Sequence, residues 1–63
     1  MISYRITVRE HETGRVVETE HATGNTERTA AAAKRALVIW LDMQYPPEDY
    51  AITVRRETEK VRP

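Results

Sequence analysis

Cysteine is absent from this chain of 63 residues, so no disulfide and no thiolate-bound metal can staple the fold. An excess of charge is absent too, since ten basic side chains stand against ten acidic ones. That balance disfavours a dedicated non-specific nucleic-acid binder, which carries a clear surplus of lysine and arginine. No apolar run approaches the ~18 residues of a membrane span. The opening Met1-Ile2-Ser3-Tyr4-Arg5 places no apolar core behind a basic segment, so no secretory leader is read and the expected location is the cytoplasm. Ser3 is the only serine, and His11 and His21 are the only histidines. Nucleophilic catalysis needs an activated hydroxyl, a base and an orienting group, and zinc needs three or four converging ligands. Neither set is at hand. The expectation is a protein that is not an enzyme and uses no cofactor, no metal and no small-molecule substrate.

What is present reads as one small α+β domain. Ile2, Tyr4, Ile6 and Val8 alternate with Ser3, Arg5, Thr7 and Arg9, the period of a half-buried strand over residues 2–11. Thr13-Gly14 offers a turn, and residues 15–22 return as a second strand. A two-residue Thr13-Gly14 loop sets Arg9 opposite Glu18, Thr7 opposite Glu20, Val8 opposite Thr19 and Ile6 opposite His21, with Val17 on the core side. A three-residue loop instead turns Glu18 and Glu20 onto the core face, where unpaired carboxylates are costly. The first register is therefore expected.

Thr23-Gly24-Asn25-Thr26 breaks the alternation. Asn25 or Thr26 can cap a helix, and Glu27 suits its positive end. From Glu27 to about Met43 the chain is alanine-rich and helical in character. At 100° per residue, Ala30, Ala33, Leu37, Trp40 and Leu41 share one face, which is expected to lie on the sheet. Pro46-Pro47 ends the helix, and Tyr50, Ile52 and Val54 alternate with Ala51, Thr53 and Arg55 in a third strand. The segments Tyr4–Arg9 and Tyr50–Arg55 agree at five of six positions, as expected of two strands serving under the same helix. Residues 1–57 form one ββαβ domain in this reading, and 58–63 form a polar tail. A right-handed crossover then gives a three-stranded antiparallel sheet of order 2-1-3, with the helix on one face. The expected core is Ile6, Val8, Leu37, Leu41, Ile52 and Val54, closed at its ends by Trp40 and the tyrosines.

The segment Gly24–Leu37, with its Glu27-Arg28-Thr29-Ala30-Ala31-Ala32-Ala33-Lys34-Arg35-Ala36-Leu37 run, resembles the last helix of a double-stranded-RNA-binding domain, which also packs alanines and leucine on a sheet. The likeness covers that segment alone. Glu27 and Thr29 stand where such domains place lysines, no helix precedes the first strand, and a strand follows the helix. These departures make the likeness one of alanine-rich packing helices.

Two surfaces are candidates for function. Ala31, Ala32, Arg35, Val38 and Ile39 lie off the expected core face, with Val38 pointing nearly away from the sheet and Met43 on the flank. A helix apolar nearly all round is usually buried on more than one side, and a short chain lacking staples often leans on a partner. The leading expectation is a protein-binding module of adaptor or inhibitor type, paired with another protein or with a second copy of itself as a homodimer. The alternative is a nucleic-acid-binding module that uses Arg5, Arg9 and Arg55 on the open sheet face, where arginine suits phosphate. A membrane partner is not expected.

Overall fold

The computed structural model describes residues 1–58. The elements follow in the order β1 (Ile2–Glu10), β2 (Val16–Gly24), α1 (Glu27–Gln44) and β3 (Tyr50–Thr58). Both pairings are antiparallel and the sheet order is β2-β1-β3, an α+β fold with a single helix, as the alternation and the crossover rule predict. Of the polar tail expected over 58–63, Thr58 ends β3 and the rest lies outside the described residues. No helix among the described residues is long and apolar enough to cross a membrane.

Local chemistry fixes the helix ends. Thr26, in extended conformation, is the N-cap. Its Oγ1 accepts from the Thr29 amide at 3.2 Å, and Thr29 Oγ1 accepts from the Thr26 amide at 3.1 Å. This reciprocal box satisfies two of the free first-turn donors, with threonine in the place usually held by Glu or Gln. At the other end the Tyr45 amide still reaches Leu41 O at 2.8 Å. Pro46 O then accepts from the amides of Asp49 and Tyr50, both at 3.0 Å, turning the chain into β3.

The hairpin does not take the two-residue loop. The Glu10 amide bonds Arg15 O at 2.9 Å and the Gly14 amide bonds Glu10 O at 2.8 Å, so the loop spans 11–14. Gly14 supplies φ +74° there, a value that suits glycine. Arg9 then faces Val16, whereas Val8 faces Glu18. Val17 is left over as a bulge and is 44% exposed, instead of lying on the core side. Beyond the bulge, Thr7 pairs with Thr19, Ile6 with Glu20 and Arg5 with His21. The expected pairs Thr7–Glu20, Val8–Thr19 and Ile6–His21 are therefore displaced by one residue and Arg9–Glu18 by two, and the β2 side chains beyond the bulge flip to the other face.

Two features outweigh the cost of the carboxylates. The observed register brings Ala22 opposite Tyr4 and Gly24 opposite Ile2 on the helix side, and these small residues let α1 settle close. A Cβ added at Gly24 would stand 2.4 Å from the Ala30 amide nitrogen. In addition, β2 is an edge strand, so Glu18 and Glu20 sit half-buried at the margin of the sheet rather than in its centre.

The helix lies over β2 and β1 and barely touches β3. Ile6, Val8, Ala22, Ala30 and Leu41 are buried, and Tyr4, Ala33, Leu37, Val38, Tyr45, Tyr50 and Ile52 pack around them. Several expectations for the core are corrected by this offset. Val54 lies on the strand the helix covers least and is 42% exposed, so β1 and β3 do not share the helix equally despite their matching sequences. Val38 turns toward the sheet and is half-buried. Trp40, about 200° further round the axis, falls on the opposite flank of the helix and is 48% exposed.

Candidate protein interface

Because α1 leaves much of β3 uncovered, a groove of about 290 Å³ opens between the helix flank and that strand. Ala31, Lys34, Arg35, Val38 and Ile39 form one wall, and Val54 forms the other. The helix contributes these residues because they recur at three- and four-residue spacings on one side of it. Lys34 is held by its ammonium, which lies over the Tyr4 ring at 5.2 Å from the centroid, so its stem is what lines the groove. Arg35 is exposed at the rim. From Ile39 the apolar surface continues over the top of the helix to Met43. Of the five helix residues expected at an interface, the structure brings Ala31, Arg35, Val38 and Ile39 into this one groove. Ala32 is exposed and outside its lining. Lys34 and Val54 were missed, because a helical wheel does not reveal which strand the helix will fail to cover.

The open face of the sheet carries a second concavity of about 360 Å³, lined by Arg5, Thr7, Arg9, Val16, Thr19, Thr53 and Arg55. All three arginines named from the sequence meet here, and no carboxylate lines the hollow. Arg5 and Arg55 are direct cross-strand partners, a like-charge pairing that disfavours the sheet. Arg5 is offset by Glu57, with Nη2 and Oε2 3.3 Å apart, and Arg9 Nη1 donates to Gly14 O at 2.6 Å. His21 lies on this face as well, its Nε2 4.0 Å from Glu57 Oε1, rather than beside Ile6.

His11 is remote from His21, at the loop end of the molecule. Its amide donates to Asp49 O at 2.9 Å, and its Nε2 lies 3.2 Å from Pro47 O. A wide polar hollow of about 540 Å³ there is lined by Glu10, His11, Glu12, Glu48, Asp49 and Tyr50. Among the described residues no group of three or more His, Asp or Glu side chains is arranged to hold a metal ion.

The displaced register creates one polar cluster that the sequence did not suggest. Tyr45 Oη donates to Glu18 Oε1 at 2.6 Å, and the Tyr45 ring stands edge-on to Tyr50 with centroids 4.9 Å apart. The Tyr45 hydroxyl, and then a hydrogen bond with Glu20, hold the Glu18 carboxyl below its ordinary range. Glu20 is pushed up, first by its hydrogen bond with Glu18, then by burial and by the Glu18 charge, against a smaller pull from His21. The Tyr45 hydroxyl is raised because it donates to Glu18. The two shifts run in opposite directions, so Glu20 is the carboxyl of the pair that keeps its proton to higher pH. Nothing else in the cluster supplies a nucleophile or a closed cavity.

No protein-family model matches this chain, and neither a curated protein nor a solved structure matches it.

Proposed function

We propose that the chain is a small, non-catalytic protein-binding module that associates with a second copy of itself through the α1/β3 side of the molecule. The observation that carries this reading is the apolar groove of Ala31, Val38, Ile39 and Val54, left open by a helix that covers only two of three strands. The fully buried core is small, and a domain this short buries only ~60% of the surface its unfolded chain exposes. Covering the groove would add apolar burial that the isolated chain lacks. An isologous contact needs one self-complementary patch, and the exposed Ile39 beside the groove is the group that would enter it from a second copy.

Ile39 is the position to test, since it lines the groove and is 55% exposed, whereas Val38 also packs on the core. Light scattering behind a sizing column should give a mass of two chains at high micromolar concentration, and Ile39→Glu should reduce it to one chain with an unchanged circular dichroism spectrum. A wild-type mass of one chain at that concentration defeats the reading.

The carboxylate-free hollow of Arg5, Arg9 and Arg55 favours a second reading, contact with the phosphate backbone of a nucleic acid. Phosphate contacts strengthen as salt falls, so the absence of binding to single- and double-stranded nucleic acid at low salt would remove it.

A further inference from the structure

The groove has a neighbour that says how a second copy would sit. Both outer strands of the sheet have a free edge among the described residues, but the edges differ. β2 is interrupted by the Val17 bulge and lies under the helix, two of the devices by which sheets blunt an edge. β3 has neither. It pairs with β1 in unbroken register from Tyr50 to Thr58, it contains no proline, and the helix barely touches it. A long, regular, uncovered edge is a template for another strand.

The hydrogen bonds identify which groups that edge offers. In an antiparallel ladder, directly opposite residues alternate between bonded and unbonded pairs. The His11 amide bonds Asp49 O, and the Glu10 amide turns the other way to Arg15 O. Odd-numbered residues of β1 therefore bond to β3 and even-numbered ones to β2. Ala51, Thr53, Arg55 and Glu57 direct their backbone groups to β1, while those of Tyr50, Ile52, Val54 and Arg56 point outward.

We propose that β3 pairs antiparallel with β3 of a second copy of this chain, with the two-fold axis passing at Val54. This rests on the self-association reading and specifies its geometry. The register is selected by length and charge together. An axis at Val54 sets Tyr50 opposite Thr58 of the other copy, so the whole of β3 is used. It places Val54 against Val54, Thr53 against Arg55, Ala51 against Glu57 and Ile52 against Arg56, with no like charges directly opposed. Arg56 is already engaged by both carboxylate oxygens of Glu27, so its stem is free to lie along Ile52. Moving the axis to Arg55 or Arg56 opposes two arginines, which is destabilising. Moving it to Thr53 shortens the overlap to residues 50–56, and moving it to Ile52 shortens it to residues 50–54. With Val54 on the axis, six strands form one sheet with both helices on the same face. The two grooves then meet as a single apolar trough walled by Val38 and Ile39 of each copy.

Proline tests the strand pairing apart from the apolar contact. At Val54 the amide faces outward, a position where an edge strand tolerates proline. Val54→Pro should give a mass of one chain with the fold retained, whereas Val54→Thr, which keeps the amide and the branched shape, should remain dimeric. Independently of any variant, amide exchange on the wild type should show Ile52 and Val54 protected at high concentration and losing protection on dilution. A dimer that Ile39→Glu dissociates, but in which the Ile52 and Val54 amides exchange freely at every concentration, overturns strand pairing and leaves self-association standing. A wild-type monomer overturns both.

Discussion

Gly24→Ala tests the closest approach in the fold, and its sign alone is informative. At an unconstrained position this change removes freedom from the unfolded chain and stabilises by ~0.4–1 kcal/mol. At Gly24 the added Cβ would stand 2.4 Å from the Ala30 amide nitrogen, 2.6 Å from Thr29 Oγ1 and 2.8 Å from Ala30 Cα. Two of these neighbours are backbone, so no side-chain rotation clears them. The first turn of α1 must lift from the end of β2 by roughly 1 Å to restore ordinary contact distances. Overpacking of this kind costs ~1–3 kcal/mol. Displacing Thr29 also strains the cap, in which loss of a side-chain partner is worth ~0.5–2 kcal/mol. After the entropic gain is subtracted, a loss of ~0.5–4.6 kcal/mol remains. A domain of this length holds about 3–9 kcal/mol in all, at ~0.05–0.15 kcal/mol per residue. With ~4–8 °C per kcal/mol for a chain this small, thermal melting followed by circular dichroism should fall by at least about 2 °C, and urea unfolding should shift in the same direction. A variant that melts at or above the wild-type temperature would show that β2 and the helix start do not meet as described, and that the register of the hairpin is wrong.

Leu41→Ala removes a fully buried side chain from the core and should cost ~2–5 kcal/mol, read as a lowered urea midpoint; an unchanged midpoint would place the helix on another face. Tyr45→Phe removes the donor that holds Glu18 low, so the Glu18 carboxyl resonance should titrate at higher pH in the variant, and an unmoved titration would refute the contact. In the wild type, the contribution of Glu18 to stability is present above its ordinary 4.5 and is lost as pH falls through its lowered folded value. Glu20, raised in the fold, contributes below 4.5 and loses that contribution as pH rises through its folded value. The two act in opposite directions, so stability against acid should depend on Glu18→Gln and Glu20→Gln with opposite signs.

The elements and their order were legible from local signals in the chain. Alternation in β1 and β3, the threonine cap before an alanine-rich run and the double proline after it are local signals, and each acts within a few residues. With three strands and one helix, short connections and the handedness of the crossover leave little choice but the order β2-β1-β3. Tertiary structure alone decided the register of β2 and the position of the helix across the sheet. The turn chemistry around Thr13-Gly14 allowed more than one loop, and the cost of carboxylates on the helix side pointed to the wrong one. What selected the observed register was the fit of Gly24 beneath Ala30 and of Ala22 in the core, together with the Tyr45 hydroxyl that meets Glu18. These partners come from elements distant in the chain, so no pattern within β2 could announce them. The groove follows from the same cause. Close packing over the small residues of β2 draws the helix to that side of the sheet, and the side chains that face β3 are left without a neighbour.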